Sequence, residues 1–268
     1  MKMRLEEFPN VRETFTNDGF VSALDIIPSV EATKHRARLE ATERKVGKLH
    51  YKSKVHTILC SPYELATHPR VLDIVEQLIG PDILLYNVEY IVKESRSPAH
   101  VSWHQDLTYW GFDDDAQVSM WLALSEASAE SGCMRMIPGS HAEGRREHVV
   151  THDAANVLLQ GQTVQAVDET GATLCALHPG QASFHHGWTL HSSLPNTSDD
   201  RRIGLNVQYI APSMRQTKHD EGSALLVRGE DHFKHFREDQ PATSDLDPIA
   251  VARHNKLDKL YQETAGAG

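Results

Sequence analysis

The chain is short of cysteine, of net positive charge and of long apolar runs. Its three cysteines, Cys60, Cys133 and Cys175, are widely spaced with no CxxC pair. That spacing excludes a disulfide framework and a thiolate zinc site, and it points to a reducing cytoplasm. Lysine plus arginine number 27 against 37 acids, a formal net charge of −10. Nucleic-acid binders carry a basic surface, so that class is not expected. Apolar runs such as Ile83-Leu84-Leu85 fall far short of the roughly 20 residues that cross a bilayer. The opening Met1-Lys2-Met3-Arg4-Leu5-Glu6-Glu7 has no apolar signal core, so no export signal is expected. Linkers, repeats and low-complexity stretches are also missing. The expectation is one domain over 1–268 acting on a small molecule, as a monomer or as a weak homodimer through its terminal helices.

Histidine is abundant, with 17 in 268 residues. It is the commonest metal ligand and proton carrier, so the search for chemistry starts there.

The first 80 or so residues read as mostly helical. Asn17-Asp18-Gly19-Phe20 stops a short first helix. A second runs from Pro28 or Ser29 to about Lys45, and a third from Tyr63 to Ile79, opened by Ser61-Pro62 and closed by Gly80-Pro81. From Asp82 the period becomes two. Strand patterns cover Ile83–Val92, Gln117–Leu124, Cys133–Ile137, Gly180–Phe184 and Ile203–Ile210, separated by turn clusters. Many short strands with turns between them predict an antiparallel sandwich or barrel at about 81–212. A C-terminal extension, 213–268, ends in a helix over Asp245–Thr264 and a frayed Ala265–Gly268.

His104-Gln105-Asp106 is the central motif. On a strand, His104 and Asp106 project from one face while Gln105 points away. An imidazole beside a carboxylate supplies two neighbouring ligands of an octahedral metal. A third, His191, would complete the two-histidine, one-carboxylate triad whose open positions suit Fe(II) and O2. Arg202 lies eleven residues on, before another strand. Its guanidinium can grip a carboxylate in a bidentate manner that lysine cannot match. Of the adjacent His185 and His186, only one can face inward: His185 if alternation holds to His191, His186 if a bulge falls near Gly187. His141 reads as part of a structural turn, and the remaining histidines (His35, His50, His68, His100, His148, His152, His178, His219, His232, His235, His254) as surface or helix-capping residues. Trp103 reads as core and Cys133 as a small buried hydrophobe.

Three segments taken in order resemble the phytanoyl-CoA dioxygenase family: Trp103-His104-Gln105-Asp106-Leu107-Thr108-Tyr109-Trp110; Trp121-Leu122-Ala123-Leu124; and Glu130-Ser131-Gly132-Cys133-Met134-Arg135-Met136-Ile137-Pro138-Gly139-Ser140-His141. The later His191, Pro195-Asn196 and Arg201-Arg202 block resembles it too. The resemblance implies a mainly β protein with flanking helices, a double-stranded β-helix or jelly roll of the cupin-like kind. It implies Fe(II) held by His104, Asp106 and His191, with 2-oxoglutarate as co-substrate and O2 as oxidant. Arg202 would hold the distal carboxylate of 2-oxoglutarate, with Ser193 and Trp121 near it; Arg201 is the adjacent rival, and Gln105 belongs to the same motif. Related halogenases carry Ala or Gly where this chain has Asp106, so hydroxylation with release of succinate and CO2 is the expected outcome. Desaturation, epimerisation or cyclisation would use the same chemistry. A non-catalytic metal-binding jelly roll is the alternative from another class, and it would have no use for Arg202.

The substrate side is read from strand parity. Lys52, Lys54 and His56 share a face if Lys48–Leu59 is extended. Asn87 and Glu89 share one face of the next strand, with Tyr86, Val88, Tyr90 and Val92 on the helix-covered side, and Asn206 and Gln208 have the parity of Arg202. His56, Asn87, Glu89, Asn206 and Gln208 are therefore candidate pocket residues for a small polar substrate. No basic cluster offers a coenzyme A cradle.

Overall fold

A computed structural model describes residues 10–151, 153–158 and 161–266. The expectations that fall on residues 1–7, His152 and residues 267–268 lie outside the described residues. Two sheets, antiparallel but for one edge pair of the larger, face each other, as the jelly-roll expectation requires. In chain order the strands are β1 (Phe20–Asp25), β2 (Ile83–Lys93), β3 (Val101–His104), β4 (Gln117–Ala123), β5 (Met134–Met136), β6 (Val149–Val150), β7 (Gln162–Thr163), β8 (Thr173–Cys175), β9 (Gln181–His186), β10 (His191–Ser193), β11 (Arg202–Ile210), β12 (Ser223–Arg228) and β13 (Arg237–Glu238). The larger sheet has the order β1-β9-β4-β11-β2-β12-β13 and the smaller β3-β10-β5-β8, while β6 and β7 form a separate ribbon.

The helices are α1 (Val11–Asp18), α2 (Ser29–Val46), α3 (Cys60–Ala66), α4 (Pro69–Ile79), α5 (Leu107–Trp110) and α6 (Pro248–Gly266). Helix α1 ends at Gly19, whose φ of 80° and backbone N–H to the Phe15 carbonyl form a left-handed cap. The single helix expected over Tyr63–Ile79 is instead two. Pro69 has no N–H to continue a helix, so α3 ends at Ala66 and α4 restarts with Pro69 in its first turn, His68 accepting from the Arg70 N–H. Helix α4 buries Val71, Leu72, Ile74 and Val75. These join Phe15, Leu39 and Leu65 from the other helices and the outer face of the larger sheet (Val88, Tyr90, Val92, Met120, Phe184, Leu205, Val207, Tyr209) in the main core. Among the described residues no helix is long and apolar enough to cross a membrane.

Four local expectations are corrected. The stretch Lys48–Leu59 is not extended: Tyr51 and Lys54 sit at φ of 56° and 55°, and a 3-10 turn covers Val55–Thr57. In β2, Tyr86 leaves the helix-covered face. The register steps from Gln208↔Asn87 to Tyr209↔Leu85, so Tyr86 is a bulge residue, and its ring joins Trp110, Phe236 and Tyr261 in a second cluster. The N-terminal third is not purely helical, because β1 pairs with β9 at the edge of the larger sheet. The chain end is not frayed at Ala265, which is buried at the end of α6.

Candidate metal centre and its cavity

Strand β3 ends at His104, and Asp106 then takes helical angles (φ −60°, ψ −45°) as the cap of α5. The two side chains therefore converge through a strand-to-helix turn and not through strand alternation as the sequence suggested. The turn is held from outside. Gln105 donates to the carbonyls of Gly144 and Trp188, both at 2.8 Å, and accepts from the Arg146 N–H at 2.7 Å. Its backbone N–H donates to His148 Nε2 at 3.0 Å. Gln105 thus lies off the cavity, with its amide fully engaged by backbone; its grouping with 2-oxoglutarate binding is corrected to anchoring the turn.

Strand β10 pairs with β3 and sets His191 directly opposite His104. One ligand atom each from His104, Asp106 and His191 lies within 4.8 Å of the others. Each histidine Nε2 is 3.6 Å from Asp106 Oδ1. Their Nδ1 atoms lie 2.9 Å from the Ser102 and Thr189 carbonyls. A carbonyl only accepts, so Nδ1 carries the proton and both Nε2 lone pairs face Asp106 Oδ1. Two lone pairs and a carboxylate oxygen, converging without a proton between them, make a donor set that fits a divalent cation.

The other carboxylate oxygen is fixed as well. Asp106 Oδ2 accepts from Ser119 Oγ at 2.8 Å and lies 3.2 Å from His185 Nε2. His185 therefore faces inward, while His186 turns to Asp115. Burial disfavours the Asp106 charge, but its histidine neighbours, His191 first and then His104 and His185, outweigh it and hold its pKa well below the ordinary carboxylate range. Burial, then the neighbouring His104 and His185, pushes His191 well below the usual histidine value, which keeps it neutral.

From the triad a cavity opens between the two sheets. It is lined by His185, Trp121, Ser193, Arg202, Glu89, Asn206 and Gln208, and by the rings of Tyr51, Tyr109, Trp110 and Tyr261. Arg202 is 1% exposed. Its Nη1 donates to the Gly132 carbonyl at 2.7 Å, and its guanidinium sits 5.0 Å over the Trp121 ring. The Nε has no partner, and among the described residues no carboxylate pairs with this charge. Burial, opposed by Tyr51 and Cys133, brings Arg202 down to about 10, leaving it charged. Arg201, the rival, points outward and is taken up by Glu94 at 3.0 Å and Glu43 at 2.9 Å. Ser193 Oγ accepts from Lys93 Nζ at 2.7 Å, which leaves its own proton free for the cavity.

Two candidate pocket residues are corrected. His56 lies on the 3-10 turn and faces Asp239 at 3.8 Å, and Asn87 spends its Oδ1 on the Lys54 N–H at 2.7 Å. Neither lines the cavity. Several histidines read as surface groups are packed inside. His35 bonds Ser61 Oγ at 2.7 Å, and the His254 Nε2 donates to the Ser53 carbonyl at 2.8 Å. His141 lies beside His186 and Thr16, away from the triad. Trp103 packs in a small cluster with Val164 and Leu190, and Cys133 is buried.

Sequence reasoning missed Ser119, Tyr51, Tyr109, Lys93, and Tyr261 on the C-terminal helix. Tyr261 receives a hydrogen bond from Trp110 Nε1 and donates to Gln208 Oε1, each 3.0 Å. Helix α6 therefore forms a cavity wall. It is tied down by Asp258, which accepts from the Ser53 N–H and hydroxyl. The preceding segment is held by a buried Lys54–Asp239 ion pair at 2.8 Å. Strand parity marks Ser119 as sharing a face with Trp121, a usable signal; nothing local in sequence ties Tyr261 to the site.

The profile of the phytanoyl-CoA dioxygenase family matches residues 22–204. The chain belongs to this family. Among its relatives, a probable alpha-ketoglutarate-dependent hypophosphite dioxygenase of Stutzerimonas stutzeri is 29% identical over 171 residues, 62% of this chain and 59% of that one. An L-proline trans-4-hydroxylase of Streptomyces griseoviridis is 27% identical over 168 residues, 53% of this chain and 59% of that one. The matched region thus spans about three fifths of these relatives' length. Among solved structures, the apo non-heme monooxygenase ThoJ superposes with a TM-score of 0.81 at 29% identity, covering 94% of this chain and 98% of that one. The family match includes all of β2 to β10 and ends within β11 at Gly204, so it contains the triad and Arg202 but not α6.

Proposed function

We propose that the protein is an Fe(II)- and 2-oxoglutarate-dependent dioxygenase that hydroxylates an unactivated carbon of a small polar molecule, releasing succinate and CO2. His104, Asp106 and His191 would hold the metal; Arg202, Ser193 and Trp121 would hold 2-oxoglutarate. One observation carries the reading: a proton-free triad of two imidazoles and a carboxylate shares one cavity with a buried guanidinium that has no counter-ion. A purely structural metal site would give such a guanidinium no role, and a buried charge left unpaired is costly. When bound, a ferrous ion supplies the electrons that activate dioxygen, with 2-oxoglutarate as co-reductant.

The chain's own groups have distinct parts in this reading. Arg202 receives the distal carboxylate, its plane fixed by Trp121 and the Gly132 carbonyl. Ser193 donates its hydroxyl proton beside it. Ser119 and His185 keep Asp106 turned so that one oxygen faces the metal. The aromatic walls and α6 exclude water from the reacting carbon. The segments before β2 and after β11 act with the core as one unit, since β1 completes the sheet and α6 closes the cavity. One relative named a hydroxylase and one named a probable alpha-ketoglutarate-dependent dioxygenase support the reaction class. The test is succinate formation from 2-oxoglutarate under O2, with and without Fe(II). Iron-dependent succinate is expected. Its absence with every substrate tried, together with no anaerobic binding of 2-oxoglutarate, would favour a non-catalytic protein.

A further inference from the structure

Glu89 stands in the cavity without a cation. It is 6% exposed, on the β2 face opposite Asn206, whose Nδ2 donates to Glu89 Oε1 at 3.2 Å. Among the described residues no lysine, arginine or histidine pairs with it. Lys93 on the same strand and Lys52 and Lys54 on the preceding turn are committed elsewhere: Lys52 to Asp258 at 3.5 Å, Lys54 to Asp239 at 2.8 Å, and Lys93 to Ser193 and the Leu194 carbonyl. The rest of the cavity's charge is accounted for once it is loaded. A ferrous ion would be balanced by Asp106 and one carboxylate of 2-oxoglutarate, and Arg202 by the other. Glu89 is then the one acid left over, in a water-poor space where a carboxylate is stable only beside a positive partner.

We propose that the substrate carries a positively charged nitrogen, which seats against Glu89 and Asn206 between the Tyr51 and Tyr261 rings. This inference rests on the oxygenase reading of the same cavity. The chemistry of the surroundings agrees with it. Tyr51 and Tyr261 line the cavity, and aromatic walls favour a cation over an anion. Both phenols have raised pKa values, through burial first and the Glu89 charge next, which sets them within its electrostatic reach. Burial pushes Glu89 itself up to about 7, against the opposing Asn206 hydrogen bond. An arriving ammonium would return it to the charged form. A neutral or anionic substrate would leave it either protonated or repelling.

The experiment is anaerobic calorimetry on protein loaded with Fe(II) and 2-oxoglutarate, using paired probes of equal shape. Choline is set against 3,3-dimethylbutan-1-ol, and pentylammonium against pentan-1-ol and pentanoate. In each set the cation is expected to bind about tenfold or more tightly than its neutral partner, the gain of a charge-assisted contact. In Glu89→Gln that preference should fall below about twofold, with Fe(II) and 2-oxoglutarate affinity unchanged. Equal or better binding of the neutral or anionic probes, no cation bound, or a preference that survives Glu89→Gln would each overturn the inference. The wild-type ranking decides even if the variant fails to fold. Failure of the oxygenase reading looks different: Fe(II) and 2-oxoglutarate would not load, while probe selectivity could still be read on metal-free protein.

Discussion

Replacing Arg202 by Met separates a ligand-binding charge from a structural one, because the two roles predict opposite effects. The guanidinium is buried and, among the described residues, is bonded only through the Gly132 carbonyl and stacked on Trp121. Without 2-oxoglutarate it is an uncompensated charge, so a methionine of similar length should leave the ligand-free melting temperature unchanged or raise it. With 2-oxoglutarate it is half of a buried ion pair, and truncating one such partner costs about 2–5 kcal/mol. At about 1.4 kcal/mol per decade, the co-substrate Kd should rise by roughly 1.5 to 3.5 orders of magnitude. Arg202→Lys keeps the charge but loses the fork and should fall between, at about tenfold. The assay is an anaerobic titration of 2-oxoglutarate into the Fe(II) protein, followed by its metal-to-ligand absorption. Arg201→Met is the control: Arg201 belongs to a part-exposed acid network, so it should lower stability by at most about 1 kcal/mol and leave the Kd alone. An unchanged Kd in Arg202→Met, or a matching loss in Arg201→Met, would refute the reasoning.

Three other substitutions probe the surroundings. A Cβ at Gly204 would overlap the Trp121 ring; Gly204→Ala should cost about 1–3 kcal/mol by overpacking, displace that ring and weaken 2-oxoglutarate binding, seen in tryptophan fluorescence and the same titration. Asp239→Ala strands the Lys54 ammonium, 4% exposed at its side chain, and should lower unfolding free energy by about 3–5 kcal/mol in urea. Glu89 has a folded pKa above its unfolded one, so its contribution is full below the unfolded value and is lost as pH rises through about 7. Wild-type stability should therefore fall relative to Glu89→Gln between about pH 4.5 and 7, with a slope approaching about 1.4 kcal/mol per pH unit. Parallel stability curves for the two proteins over that window would remove Glu89 from the buried acids.

Much of this architecture was legible in sequence because period-two strands and short motifs are local. His104, Asp106, His191 and Arg202 stand out by residue type and spacing, and the parity of β11 puts Asn206 and Gln208 on the Arg202 side. What escaped depends on geometry that sequence does not carry. Left-handed Tyr51 and Lys54 turn His56 away, and the bulge at Tyr86 resets which face of β2 looks inward. Tyr261 reaches the cavity only because α6 folds back over it, more than fifty residues after β11 ends. The buried histidines were hidden for a different reason: a neutral imidazole that satisfies a backbone group looks, in sequence, like one in solvent.

The central claim is a single metal held by His104, Asp106 and His191. Anomalous diffraction at the iron edge, from crystals grown anaerobically with Fe(II) and 2-oxoglutarate, tests it most directly. The account predicts one iron peak bonded to Nε2 of both histidines and to Asp106 Oδ1, and its loss in Asp106→Ala. Iron bound elsewhere, or a peak of full height retained without the Asp106 carboxylate, would contradict it.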